Sequence, residues 1–276
     1  GGGGELSTLR AQWMGRHVLG VSLDRPETRN SMNNAFWEEL PALMRHIGTD
    51  GDVRVVVLTG EGKSFTAGLD ASFQLLGPGE ATPDPARMAM RMRRGIVAMQ
   101  HAFTVMEEIP QPVIAAVHGA CVGAGVDMIT AADMRMCTKD AWFSVREIKL
   151  ALAADVGTLQ RLPRVCGNDA LVRRVCFSGE DFGSDTAARM GLVSDVYETR
   201  EEMMAAVTEL ATSIASSSPV AVAGTKRSLL YSRDHSVGDS LDHVASMNSA
   251  LLQTPDVAAS FKAMFKRQPP GPFSKL

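Results

Sequence analysis

Aromatic residues are scarce in this chain: 10 Phe, 3 Trp and 2 Tyr make up 5% of its 276 residues. So thin a supply argues against the stacking platforms that hold single-stranded nucleic acid. An excess of either charge is missing as well. Lys and Arg number 28 against 31 Asp and Glu, a formal net charge of −3, which gives no general grip on nucleic acid or anionic membrane. No apolar run approaches the ~18 residues needed to cross a bilayer, so no membrane insertion is expected. The four cysteines, Cys121, Cys137, Cys166 and Cys176, form no C-x-x-C pair. That spacing excludes a zinc knuckle or dithiol redox motif and fits buried thiols of a reducing compartment. No metal site is expected.

Several familiar motifs also fail. Gly62-Lys63-Ser64 invites a phosphate-loop reading, but Val57 stands where that motif needs its first glycine. Gly123-x-Gly125 lacks the third glycine of a dinucleotide fingerprint, because Met128 occupies its place. Neither G-x-S-x-G nor H-E-x-x-H occurs, which leaves serine-hydrolase and zincin readings without a starting point.

What is present at the two ends is simple. Gly1 to Gly4 has neither the charged nor the apolar region of a signal peptide and reads as a flexible leader over residues 1–10. Ser274-Lys275-Leu276 is an S-K-L tripeptide, a peroxisomal address, in a flexible tail over 268–276. A chance tripeptide is the alternative, and a second targeting segment for the mitochondrion stays open.

Between the ends, strand and helix patterns alternate. Val18–Leu23, Val53–Leu58 and Val113–Val117 are apolar runs of the kind buried on both faces of a parallel sheet. Met134–Cys137 and Ala141–Val145 read as further strands. Phe36, Leu40, Leu43, Met44 and Ile47 recur at helical spacing from Asn33, with Pro41 set to kink or break that helix. A surface loop is expected over Gly77–Pro85, and a helix over Ala86–Glu108. Beyond Gly157 the pattern is mostly helical: 168–176, 184–190, 201–217, 220–230, 236–252 and 255–265. That order predicts an α/β core over 11–200 and a helical C-terminal region over 201–267.

Two turns and three acids carry the chemistry. Ser64-Phe65-Thr66-Ala67-Gly68-Leu69-Asp70 and Gly119-Ala120-Cys121-Val122-Gly123-Ala124-Gly125 each follow an apolar strand and present small residues. Peptide N–H groups there can point at a ligand, and the second turn also opens a helix, whose positive end favours an anion. Two converging N–H groups suit the oxygen of an enolate; plain tight turns are the alternative. The acids are Asp127, Glu147 and Asp155, each among apolar neighbours. Burial and mutual repulsion can lift their proton affinity toward neutrality. Singly, Asp155 also fits a helix cap and Glu147 a solvated face.

Phe65-Thr66-Ala67-Gly68-Leu69-Asp70 and Ala115-Ala116-Val117-His118-Gly119-Ala120-Cys121-Val122-Gly123-Ala124-Gly125 resemble the two signature segments of the crotonase (enoyl-CoA hydratase/isomerase) superfamily. The likeness runs from about Val18 to Phe265. Ala151 to Pro163 and Tyr231 to Val237 are similar to its Δ3,5-Δ2,4-dienoyl-CoA isomerase branch. The resemblance implies a spiral of ββα units with a helical trimerisation region, assembled as a trimer or a dimer of trimers. It implies an acyl-CoA substrate whose CoA is part of the substrate, so that no separate cofactor is needed. It assigns the oxyanion donors to the Leu69 and Ala124 amides, where alanine replaces the usual glycine, and the CoA and thioester site to Ala67, Gly68, Leu69, Asp70, Ala71 and Ala124. Arg25 matches a position that is often basic and is either a CoA contact or a plain surface arginine. The implied reaction converts a 3,5-dienoyl thioester to its 2,4 isomer, with Glu147 and Asp155 moving the protons and Asp127 tuning them. An import receptor reading S-K-L is the further partner implied, and a peroxisomal location follows. The rivals are an enoyl-CoA hydratase, which uses two glutamates, and a non-catalytic crotonase-like binding protein.

Overall fold

In the computed structural model, which describes residues 6–75, 84–269 and 271–276, the apolar runs become the interior of a twisted parallel sheet. The chain opens with β1 (Leu9–Gly15) and β2 (Val18–Leu23), then α1 (Asn34–Thr49), β3 (Val55–Gly60), α2 (Pro85–Glu108) and β4 (Val113–Val117). Next come β5 (Ala120–Val122), α3 (Ala124–Ala131), β6 (Met134–Thr138), β7 (Trp142–Ser144) and a short 3-10 turn over Arg146–Leu150. α4 (Thr158–Val165), α5 (Asp169–Ser178), β8 (Phe182–Gly183), α6 (Ser184–Met190) and β9 (Asp195–Tyr197) complete the core, and α7 (Arg200–Ala215), α8 (Pro219–Tyr231), α9 (Val237–Leu251) and α10 (Pro255–Phe265) follow.

The large sheet runs β1-β2-β3-β4-β6-β9, with β1 antiparallel to β2 and every other pair parallel. A smaller sheet runs β5-β7-β8. Twice, from β4 and from β6, the chain makes one move: a strand for the large sheet, a short strand for the small one, then helix. That repetition is the expected ββα spiral, and it brings the ends of β3 and β4 together at one edge of the core.

Why the strands are apolar throughout follows from what covers them. Val56, Leu58, Val113, Ala115 and Val117 point into the main core with α1, α2 and α3. Their alternates, Val55, Val57, Ile114 and Ala116, meet Met203, Val207, Ala211 and Ala215 of α7 on the other face. Packing therefore assigns α7 to the core, and the helical region that stands away from it begins with α8. Lys226 of α8 ties that region down, donating to the carbonyls of Met106 (2.6 Å) and Gln111 (2.8 Å) and pairing with Asp133 at 2.9 Å.

Some expectations change. α1 does not break at Pro41: the helix is continuous, and Phe36, Leu40, Pro41, Met44 and Ile47 are all buried along it. Their packing outweighs the lost backbone hydrogen bond, which costs ~3 kcal/mol in an unsupported helix. Residues 9 and 10 of the expected leader pair in β1 with Leu23 and Ser22. Within the expected 268–276 tail, residues 271–276 lie against the body, where Arg54 Nη2 donates to the Phe273 carbonyl at 2.7 Å and Lys275 pairs with Asp52 at 2.6 Å. The expected 77–85 loop falls largely on residues 77–83, outside the described ones; Pro85 already opens α2 behind Asp84, whose carboxylate accepts the Ala86 and Arg87 amides.

Candidate active site

The turn after β3 is stitched to the turn after β4. Thr66 N donates to Ala120 O at 2.8 Å and Val122 N returns to Thr66 O at 3.2 Å. Asn30, buried, fixes the first turn from behind by donating its Nδ2 to the carbonyls of Glu61 and Ser64, both at 2.8 Å. Gly68 sits at φ +89, and a Cβ there would fall 2.6 Å from Val122 O and 3.8 Å from Ala124 N. Only glycine allows both the backbone angle and the approach.

Around Leu69 almost every backbone group is paired: Met32 N donates to Gly68 O at 2.8 Å and Asp70 N to Met32 O at 3.0 Å. The Leu69 amide is left over, with no acceptor among the described residues. So is the Ala124 amide at the first position of α3, whereas Gly123 N beside it is spent on Ser144 O at 2.9 Å. Two free donors thus lie on adjoining turns, and the second has the positive end of α3 behind it. Leu69 itself is 47% exposed and Ala124 is buried, so this pair faces an open mouth backed by protein.

Asp127 stands one turn into α3, fully buried. Its Oδ1 accepts the Thr158 N–H at 2.5 Å, supplying the cap that α4 lacks, since Gly157 precedes that helix with no side chain to give. Glu147 hangs from the turn after β7 with Oε1 over Gly123, 3.4 Å from where a Cβ would lie. It is therefore beside the Ala124 amide, not on a solvated face. Asp127 Oδ2 and Glu147 Oε2 are both buried with no hydrogen-bond partner among the described residues. Burial, then the charge of Glu147, pushes Asp127 up to about 7. Burial raises Glu147 as well, against the pull of its own backbone amide and, less, of Asp127, and the nearby Asp155 charge adds to the rise.

Asp155 joins this group from the solvent side. Its side chain is exposed while Ala154 and Val156 on either side are buried. It does not cap α4, whose N-cap is Gly157. The structure thus brings together Leu69, Ala124, Asp127 and Glu147, and sets Asp155 within electrostatic reach of Glu147.

Arg25 is not a plain surface arginine. Its Nη1 pairs with Asp70 at 2.9 Å and donates to Ser31 O at 2.6 Å, and it is largely covered. The hydroxyls of Ser31 and Ser72 and the Arg25 guanidinium hold the Asp70 carboxyl well below its usual range. This pair braces the far side of the turn that carries Leu69, where Ala71 is exposed and Ala67 N is tied to Arg29 O at 2.9 Å. Sequence reasoning missed Asn30 and the Arg25–Asp70 brace. The only local signal was an Asn at a left-handed φ of +56 just after a proline-started turn.

Comparison with known proteins fits this geometry. The family model described as enoyl-CoA hydratase/isomerase matches residues 14–271. The mitochondrial Delta(3,5)-Delta(2,4)-dienoyl-CoA isomerase of Mus musculus is 48% identical over 92% of this chain and 78% of that protein. The peroxisomal Delta(3,5)-Delta(2,4)-dienoyl-CoA isomerase of Arabidopsis thaliana is 40% identical over 94% of this chain and 93% of that protein. Among solved structures, the enoyl-CoA hydratase from Bacillus anthracis superposes with a TM-score of 0.85 at 26% identity, covering 96% of this chain and 98% of that one. With the two stitched turns, the ββα spiral and a family match over nearly its whole length, the chain belongs to the enoyl-CoA hydratase/isomerase family.

Proposed function

We propose that this chain isomerises 3,5-dienoyl-CoA to 2,4-dienoyl-CoA, as the names of its mouse and Arabidopsis relatives suggest. The observation that carries the reading is the convergence of two unspent amides, Leu69 and Ala124, beside a buried carboxyl pair with a third carboxyl nearby.

Glu147 takes the C2 proton, and the electrons of that C–H bond spread through the diene to the thioester oxygen. The Leu69 and Ala124 amides hold this oxyanion; one such donor is typically worth ~10²–10³ in turnover. Asp155 gives its proton to C6 as the electrons return from oxygen, leaving double bonds at C2 and C4. Before the next cycle Glu147 releases the proton it took and Asp155 takes up another. Asp127 keeps the buried proton that tunes Glu147. Two acids are needed because C2 and C6 lie too far apart for one short side chain.

The residues 67–71 and Ala124 form the thioester site in this reading, with Arg25 holding its frame. CoA arrives on the substrate, and the reaction needs no other cofactor. α9 and α10 contain no buried residue; Leu241 and Phe265 are exposed, as are Leu252, Phe261 and Met264, which line a cavity of about 850 Å³ between α8, α9 and α10. Such faces suit self-association as a trimer or a dimer of trimers. A peroxisomal location, with the mitochondrion as a second site, is in keeping with the peroxisomal Arabidopsis relative and the mitochondrial mouse one. Recognition of Ser274-Lys275-Leu276 by an import receptor would first have to free Lys275 from Asp52.

Incubation with 3,5-octadienoyl-CoA tests the reading: the absorbance of a conjugated 2,4-dienoyl thioester should rise. Hydration of a 2-enoyl-CoA with no such rise would make the chain a hydratase, and inertness toward both would make it a binding protein. A short Asp127 in place of a second glutamate, and the presence of Asp155, favour the isomerase.

A further inference from the structure

Asp155 is the one acid of the three that no packed core holds in place. Its side chain is exposed, and a cavity of about 540 Å³ lies behind Val156 and Gly157. What fixes the segment is a set of polar tethers from one stripe of α2. Gln100 Nε2 donates to the Asp155 carbonyl at 2.7 Å. One and two turns further along, Thr104 and Glu107 grip Arg161. Its Nη2 reaches Thr104 Oγ1 at 2.9 Å and Glu107 Oε2 at 2.7 Å, and its Nε reaches the same oxygen at 2.9 Å. Residues 100, 104 and 107 share a helix face. Arg161 in turn lies so close over Gly157, at φ +140, that any Cβ there would collide with its guanidinium. Glu107 Oε1 is held by Arg233 at 2.7 Å, so the stripe is itself braced. From the opposite side, Asp127 takes the Thr158 amide.

We propose that Gln100 is a positioning residue: with Arg161 and Glu107 as its anchor, it sets the height of Asp155 above the distal carbon of the substrate. The inference rests on the isomerase reading. Gln100 touches no reacting atom in this scheme; it acts through the one peptide it holds. Proton removal at C2 depends on Glu147, which sits on the turn after β7 and makes no hydrogen bond to Gln100, Arg161 or Glu107; it meets the segment only through the charge of Asp155 and through Asp127, both of which a Gln100 variant keeps. The two half-reactions are therefore separable. Loss of Gln100 should impair return of the proton at C6 and spare its removal at C2.

The test uses the full chain, 3,5-octadienoyl-CoA and deuterium oxide. Wild type and Gln100→Ala are compared for two rates, formation of the conjugated product and deuterium entry at C2 of recovered substrate. Displacing a catalytic group by about 1 Å costs up to ~10²-fold, so product formation should fall ~10-fold or more while C2 exchange stays within about twofold. Gln100→Leu, which keeps the bulk without the donor, should behave alike, and circular dichroism should show both folded. Product and exchange falling together, or neither changing, overturns the positioning role. A wild-type chain that forms no conjugated product removes the isomerase reading, and this inference with it.

Discussion

The buried half of the site and its exposed half hold their acids by different means. Asp127 stands buried in α3 and Glu147 on the β7 turn, each with one carboxyl oxygen that is buried and unpartnered among the described residues. Asp155 stands in solvent, beside a cavity, on a segment tied by single hydrogen bonds. In the buried half the environment sets proton affinity; in the exposed half the tethers set position. One site thus separates two requirements of a long-range proton shift: a base tuned near neutrality and an acid that must reach far along a chain.

The contrast breaks most readily at Glu147. Glu147→Gln should lower formation of conjugated dienoyl-CoA by ~10³–10⁴, the upper part of the range for a general base, and should abolish deuterium entry at C2. Next in size is Gly68→Ala. A methyl at that φ, directed at Val122 O, must pry the two turns apart, and the loss of one oxyanion donor predicts a ~10²–10³ fall in kcat with folding retained. Asp155→Asn should cost on the order of 10² in product formation while C2 exchange continues, a partition that no buried-half variant should reproduce.

The smallest effect sharpens the comparison through pH. Asp127 holds its proton to about 7 in the folded chain, against 3.8 for an ordinary Asp. Between those values the folded state binds more protons than the unfolded one. Its contribution to stability is therefore complete below about pH 4 and is lost as pH rises toward 7. Asp127→Asn removes that dependence and keeps an oxygen for the Thr158 amide. The difference in Tm between variant and parent should thus shift in the variant's favour from pH 4 to pH 8, by the equivalent of about 4 kcal/mol at most. A difference that stays flat with pH would mean the pair does not hold its proton in the fold.

Much of this site was legible because its signals are local. A turn of small residues after an apolar strand, or a carboxylate among alanines and valines, stands out within a dozen positions. Asp127, Glu147, Leu69 and Ala124 were found that way, with the family resemblance supplying their roles. Gln100 and Glu107 were not. On α2 they are two polar residues among many, and only the fold shows that their stripe faces the segment holding Asp155. Asn30 and the pairing of Arg25 with Asp70 escaped for the same reason, since each joins groups far apart along the chain. Pro41 misled in the opposite sense: a local rule predicted a kink or a break, and the helix runs unbroken through it, with Phe36, Leu40, Met44 and Ile47 buried alongside.

By itself the sequence determined the alternation of strand and helix, the strands apolar on both faces, and the small-residue turns that leave amides bare. These follow from side-chain shape and backbone freedom, which act over a few residues. Only the tertiary structure decided that the Leu69 and Ala124 amides would both lack an acceptor among the described residues, that Asp127 and Glu147 would each bury an unpartnered carboxyl oxygen, and that Asp155 would hang from α2. Those outcomes depend on which groups from distant segments meet away from water, and desolvation is a property of the assembled molecule.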